Sequence, residues 1–349
     1  MEGIFMTINL MKSRHFPFIS ILVVFLTIFW WFGLSAKKQT PEKINGISLE
    51  SPPERINPTQ MAEVKNLDVN WVAVIPYAFS RQGEPEVYFD HGNQWWGERS
   101  DGAAEMIQMA KKQNLRVMLK PQIWLHGAWI GDYALLTGDQ WTLWEISYAD
   151  YILHFATLAD SMQVDLFCIG TELKSVSLTR PAFWRKLIQD VRKVYRGKIT
   201  YCANWDEYQQ VDFWDSLDYI GVSAYFPLSQ KAHPSQAELV EAWEMRKVDL
   251  WKIHERYSKP VLFTEYGYRS ADGAVGNQWE IQEHEVNLDL QAEAYEALYT
   301  SIWDEPWFGG GFIWKWQFRD GAGGSANDDY TPQDKPAMEV IRAWNSRYK

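Results

Sequence analysis

Residues 164–204, VDLFCIGTELKSVSLTRPAFWRKLIQDVRKVYRGKITYCAN, decide the fold. Val164–Gly170 is a near-continuous apolar run, as expected of a parallel strand covered on both faces. Pro181 opens a helical stretch reaching 196, in the first turn where its missing N–H costs nothing. Lys198–Asn204 is a second apolar run. Strand, helix, strand in about forty residues is the repeating unit of a parallel sheet.

Working outward, runs rich in β-branched and aromatic residues recur at 44–49, 70–76, 116–121, 218–225, 259–265 and 310–316, making eight strands with the two above. Helical stretches are expected between them at 58–66, 101–114, 141–162, 236–257 and 288–304, with a last near 335–346. Eight alternations predict one α/β domain, a closed (β/α)8 TIM barrel. One unit is weak, since the interval between the fifth and sixth strands leaves room for a short helix near 207–214 at best. An open doubly wound sheet would carry a Gly-rich phosphate loop after its first strand, and Ser48-Leu-Glu-Ser-Pro-Pro53 is not one. The chain shows no internal repeat and no second-domain linker.

Composition narrows the function. The 349 residues carry 34 Lys+Arg against 45 Asp+Glu, a net charge of −11, without a basic run. A nucleic-acid partner, whose phosphates need a basic stripe, is therefore not expected. Two Cys cannot make a disulfide scaffold. Both lie in apolar strands, where free core thiols are expected. The chain has 20 Trp, more than one core requires. Flat amphipathic rings stack on sugars or bases, and the acidic balance favours sugars.

Phe16–Leu34 is an apolar run long enough to span a bilayer, with Lys12 and Arg14 before it and Lys37 and Lys38 after. Residues 1–36 are read as a cytoplasmic stub plus either an uncleaved signal anchor or a signal peptide cut near Ala36. Either way 37–349, the catalytic domain, is expected outside the cytoplasm: membrane-anchored, or secreted or periplasmic.

In such a barrel chemistry sits where strands end. The fourth strand runs into Gly170-Thr-Glu172-Leu and the seventh into Phe263-Thr-Glu265-Tyr-Gly-Tyr268. A carboxylate directly after a buried run is costly unless paired or used. These strands lie on opposite sides of the barrel, so Glu172 and Glu265 can face each other across the mouth. Two carboxyls about 5–5.5 Å apart suit double displacement at a glycosidic carbon, and about 6.5–9.5 Å suits inversion through a water.

These motifs resemble the clan of retaining (β/α)8 glycoside hydrolases with catalytic Glu on strands four and seven. With Val117-Met-Leu-Lys-Pro121, Tyr225, Phe312-Ile-Trp-Lys-Trp316 and Tyr330-Thr-Pro-Gln-Asp-Lys-Pro336, the chain most resembles glycoside hydrolase family 113, whose members are chiefly β-1,4-mannanases. The resemblance spans about residues 44–345. It implies Glu172 as acid/base and Glu265 as nucleophile, helped by the Tyr225 hydroxyl. Many clan members have Asn before the acid/base, binding the sugar 2-hydroxyl; here Thr171 stands there. Strand two ends Ile75-Pro-Tyr77, without the Arg that elsewhere braces the nucleophile.

Lys120, Trp124, Asn204, Trp205, Tyr225 and Trp314 are the expected substrate-binding residues, Lys120 equally a carboxylate partner. Trp95, Trp96 and Trp129 also fall in loops. The Gly-rich loop Arg319–Tyr330 is expected to be mobile and to border the cleft. Asp328 and Asp329 are weak grounds for a Ca²⁺ site, and no metal or other cofactor is implied. The reading is a retaining glycosidase acting on β-linked polysaccharide or oligosaccharide, β-1,4-mannan first. The alternatives are another β-1,4-glycanase, an exo-β-mannosidase, a carbohydrate-binding pseudoenzyme or a membrane-anchored scaffold.

Overall fold

A computed structural model describes residues 42–277, 280 and 285–348. Its eight barrel strands are β1 (Ile44–Leu49), β2 (Trp71–Val74), β3 (Arg116–Leu119), β4 (Leu166–Thr171), β5 (Lys198–Asn204), β6 (Ile220–Ser223), β7 (Val261–Tyr266) and β8 (Phe308–Trp316). They pair in chain order, and β1 closes the barrel against β8. All eight expected strands are present.

The continuous apolar pattern has a plain origin. Along β2, Trp71 and Ala73 turn into the barrel beside Met118, Leu166 and Phe312, while Val72 and Val74 join the layer between strands and helices. Successive side chains point to opposite faces, and here both faces are dry. Gly46 is required by this filling, because a Cβ there would lie 2.4 Å from the Phe312 ring. Cys168 and Cys202 are buried free thiols inside the barrel, as expected.

The helices are α1 (Pro58–Glu63), α2 (Ser100–Lys112), α3 (Gly138–Ser161), α4 (Lys174–Thr179), α5 (Pro181–Val194), α6 (Gln236–Tyr257), α7 (Leu288–Leu298) and α8 (Pro336–Asn345). Their starts follow capping chemistry: Thr137 and Gln140 form a capping box on α3, and Ser235 and Glu238 on α6. The short α4 was not anticipated. Between β5 and β6 there is no α-helix, only the 3-10 turn Trp214–Ser216. Aromatic bulk occupies that place: Phe213 stacks on Trp184 with ring centroids 5.5 Å apart, and Trp214 is fully buried.

A second departure matters more for the site. The segments after β2 and β3 form an accessory sheet from strands Tyr77–Ser80, Tyr88–Phe89 and Gln122–Leu125. Pro76 and Pro121 separate it from the barrel, because proline donates no ladder hydrogen bond.

The Arg319–Tyr330 loop, expected to be mobile, is tied down. Lys335 Nζ donates to Asn327 Oδ1 at 2.7 Å, Ser270 Oγ to the Asn327 carbonyl at 2.6 Å, and Arg269 pairs with Asp328 at 2.8 Å. Asp329 accepts from Gln317 Nε2 and from the Tyr330 amide. These carboxylates are thus engaged within the protein, and the described residues hold no group of three potential metal ligands. The apolar run at 16–34 lies outside the described residues; among those described, no helix is long and apolar enough to cross a membrane.

Candidate active site

The mouth of the barrel holds a cavity of about 610 Å³ whose lining includes both glutamates, Asn204, Trp205, Tyr225 and Trp314. Five of these come from different strand ends, as the fold dictates.

Glu265 is the last residue but one of β7 and is 4 % exposed. One oxygen is met by the ammonium of Lys120; the other accepts from the Tyr225 hydroxyl at 3.1 Å. Lys120 follows β3 with its side chain wholly sealed from water, so it lies on the carboxylate and away from the open pocket. Of its two expected partners, the structure brings it to the carboxylate. Its ammonium also lies 5.2 Å from the Trp314 ring centroid. Burial opposes the lysine's charge, yet the Glu265 carboxylate outweighs it and raises the lysine above its ordinary pKa. The cation missing at the end of strand two is therefore supplied from strand three.

Glu172 sits one residue past β4 with φ +54°, a left-handed backbone that costs a non-glycine residue about 1–2 kcal/mol. Its amide donates to the Cys202 carbonyl at 2.7 Å, which holds this turn against β5. Its oxygens accept from Ser223 Oγ at 2.5 Å and Trp129 Nε1 at 3.0 Å. Burial, then the charge of Glu265, push its pKa up, and the two hydrogen bonds restrain the shift. Ser223 and Glu265 are register partners on neighbouring strands, so one ladder rung sets the two carboxyls in relation. Neither contact to Glu172 was identified from the sequence. Trp129 stood among the loop aromatics without a role, and a serine at a strand end carries no signal by itself.

Thr171 is 2 % exposed and does not reach the pocket. Asn204, one strand over, lines the pocket, and its Nδ2 donates to Asp206 at 2.9 Å. Tyr330 brings the 319–330 loop to the wall, where its ring meets Tyr225 edge-on. Trp124 is not in this cavity; it stands 57 % exposed in a neighbouring one. Trp96 is a core residue, as are Trp144, Trp184 and Trp243.

Glu207 escaped the sequence reading. It is fully buried beneath the Asn204–Asp206 turn, where it accepts from the Asn204 amide at 2.9 Å, Tyr201 OH at 2.8 Å and Ser177 Oγ. Burial pushes its pKa up to about 7 against those hydrogen bonds. Glu207→Gln is expected to cost about 1–3 kcal/mol, because an amide can satisfy the two hydroxyls but turns its NH2 toward the Asn204 N–H. Glu207→Ala strands all three donors and should cost more. Urea denaturation of the two variants checks this order, and equal stabilities would refute it.

The geometry agrees with the sequence comparisons. The profile of Glycoside Hydrolase Family 113 matches residues 54–335. The β-mannanase AaManA of that family from Alicyclobacillus acidocaldarius, solved in complex with ManMIm, is 27 % identical. It superposes with a TM-score of 0.78, covering 88 % of this chain and 98 % of that one. A complex of a family 113 β-1,4-mannanase gives 27 % identity and 0.76 over 87 % and 99 %. A Dictyoglomus thermophilum β-D-glucuronidase, at 13 % identity and 0.59 over 88 % and 51 %, shares the fold. A search of curated protein sequences gives no match. The match over most of the chain settles the class: this protein belongs to glycoside hydrolase family 113 and is a glycoside hydrolase.

Proposed function

We propose that the protein hydrolyses β-1,4-linked mannan by double displacement, with Glu265 as nucleophile and Glu172 as acid/base. One observation carries this: two carboxyls in one pocket stand in opposite environments. Glu265 faces a buried ammonium, which stabilises a negative oxygen, while Glu172 is pushed toward its protonated form.

In the first step a Glu265 oxygen bonds to the anomeric carbon as the glycosidic C–O bond breaks, and the Glu172 proton goes to the leaving oxygen. Glu265, now an ester, carries no charge, so the repulsion that added to burial in holding the proton on Glu172 is gone. Glu172 then takes a proton from water as that water's oxygen attacks the anomeric carbon and frees Glu265. We assign the 2-hydroxyl contact to Asn204, since it lines the pocket and Thr171 is too buried to reach it. The mannan substrate is supported by the two family 113 mannanases, each spanned almost completely by this chain. The apolar run at 16–34 would place this activity outside the cytoplasm, anchored if retained and released if cut.

The pocket also speaks against acidic sugars. Its lining carries Asp132, Glu172, Asp206 and Glu265 and, among the described residues, no Arg or Lys. A uronate would meet like charge. Purified protein should release reducing sugar from mannan and glucomannan, and should leave aryl β-glucuronide intact. Release from xylan or cellulose alone would overturn the mannan reading, and cleavage of the glucuronide would overturn the charge argument.

A further inference from the structure

The segment Tyr330-Thr-Pro-Gln-Asp-Lys-Pro336 runs from the wall of the catalytic pocket, which Tyr330 lines, to the start of α8. It is built as a clasp. Gln333 takes hold beyond β8: its Oε1 accepts from the Gln317 amide at 2.8 Å, and its Nε2 donates to the Gln317 carbonyl at 3.1 Å. Lys335 takes hold beyond β7, the strand of Glu265. It is 4 % exposed, and its ammonium donates to Ser270 Oγ at 2.8 Å, Asn327 Oδ1 at 2.7 Å and the Asp329 carbonyl at 2.8 Å. Ser270 donates in turn to the Asn327 carbonyl at 2.6 Å. Three protons thus meet three oxygens, none of them a carboxylate. A buried ammonium is costly unless its protons are taken up in this way. A buried charge also serves better to select one arrangement than to add stability. Burial pulls this lysine down to about 8, while the charges of Asp329 and Asp328 hold it up, so it stays charged at neutral pH.

The arrangement selected is that of Tyr330, which directly follows the turn 327–329 that Lys335 binds. Its amide donates to Asp329 Oδ1 at 2.8 Å, and its carbonyl accepts from Gln291 Nε2 at 3.2 Å. Its ring stands edge-on to Tyr225, with centroids 6.0 Å apart, and the Tyr225 hydroxyl donates to Glu265. Gly267, just past β7, leaves room for this packing. A Cβ there would lie 2.5 Å from the Trp314 carbonyl oxygen and 3.4 Å from the Tyr330 ring. The ring therefore lies against both the end of the catalytic strand and the tyrosine that steadies Glu265.

We propose that Lys335 is a positioning residue: its ammonium fixes the 327–329 turn, so that the Tyr330 ring keeps Tyr225, and through it the Glu265 carboxylate, aligned for attack. This rests on the reading of Glu265 as the nucleophile. Lys335 itself touches no reacting group, and its effect on the reaction passes through Tyr330.

Lys335→Ala removes the side chain beyond Cβ and leaves a space the length of propylammonium. The variant should lose roughly ten- to a hundredfold in kcat/KM on mannan. Propylammonium should restore part of this, and propanol, equal in length and uncharged, should not. Combined with Tyr330→Ala, the lysine change should cost little further, because the ring it aligns is gone. Circular dichroism at the assay temperature reports whether the variants are folded. Should Lys335→Ala fail to fold, Asn327→Ala takes its place in the cycle, since it removes one of the three oxygens from a half-buried turn and keeps the lysine. Its loss should be smaller and should likewise vanish in Tyr330→Ala. Wild-type kcat/KM in the folded variant, equal rescue by propanol, or losses that multiply in the double variant overturn the proposal. Fluorotyrosine labelling, with the Tyr330 signal assigned from Tyr330→Phe, gives a readout apart from turnover. That fluorine resonance should shift in Lys335→Ala and return with propylammonium, and an unmoved resonance overturns the proposal. A resonance that moves in a protein that cleaves no mannan supports the clasp and refutes the hydrolytic assignment of Glu265.

Discussion

Glu265→Ala should lower kcat/KM on mannan by roughly four orders of magnitude or more, and azide should restore turnover with an inverted product. The size follows from removing a covalent nucleophile, whose step has no substitute in the variant. The stereochemistry follows from the space left behind. Azide entering where Glu265 stood attacks the anomeric carbon from the nucleophile's face and yields the α-configured glycosyl azide. Glu172→Ala should behave differently. With a reactive aryl leaving group that needs no protonation, the glycosyl-enzyme still forms, and azide then displaces Glu265 to give the β-configured azide. Proton NMR of the two products distinguishes the roles. The same configuration from both variants would refute the assignment, and so would near-normal activity in either. Because Glu265→Ala leaves the Lys120 ammonium buried without its partner, Glu265→Gln should be assayed beside it to separate lost chemistry from lost folding.

The positions of these carboxyls were legible because the barrel makes a simple demand. Each strand is buried on both faces, so Leu166–Gly170 and Val261–Phe263 read as unbroken apolar runs, and the first charged residue after each is conspicuous. What the sequence does not carry is lateral adjacency around the ring. The sequence offers Lys120 a carboxylate partner but not which one: it reaches Glu265 across the barrel interior, and Ser223 reaches Glu172 from two strands away. Such contacts depend on stagger between strands, which apolar periodicity does not encode. The accessory sheet was hidden for another reason. Pro76 and Pro121 mark the ends of barrel strands correctly, but the ladder resumes beyond each proline in strands too short for alternation to show. Glu207 was invisible because one carboxylate in a polar turn, Asn204-Trp-Asp-Glu207, looks solvated; its burial is created by Tyr201 and by Ser177 from α4. The tryptophan excess divided in two. Among the described residues, Trp144, Trp184, Trp214, Trp243 and Trp303 fill the core, while Trp95, Trp124, Trp129, Trp205 and Trp314 line the cavities at the mouth.

The electrostatic design turns on Lys120, and Lys120→Met should expose it. Methionine fills similar volume without charge, so packing around Trp314 and inside the barrel is largely kept. The Glu265 carboxylate, however, is left buried without its cation, and breaking a buried pair in this way costs about 3–5 kcal/mol. The carboxylate also loses the contact that fixes one of its oxygens, so the nucleophile is no longer held for attack. Activity near neutrality should fall by roughly two orders of magnitude or more. The alkaline limb of the pH–rate profile should move as well. Lys120 helps to hold down the pKa of Glu172, so without it the acid stays protonated to higher pH. That limb should therefore shift upward. A residue that merely filled space would lower the rate at every pH without moving it. The double variant Lys120→Met/Glu265→Gln supplies the control. With neither charge present, its stability should return toward that of the wild type while its activity stays absent, giving a coupling of several kcal/mol between the two sites. Additive losses in that cycle, or an unmoved alkaline limb in the single variant, would mean that the lysine does not act on the two carboxyls through its charge.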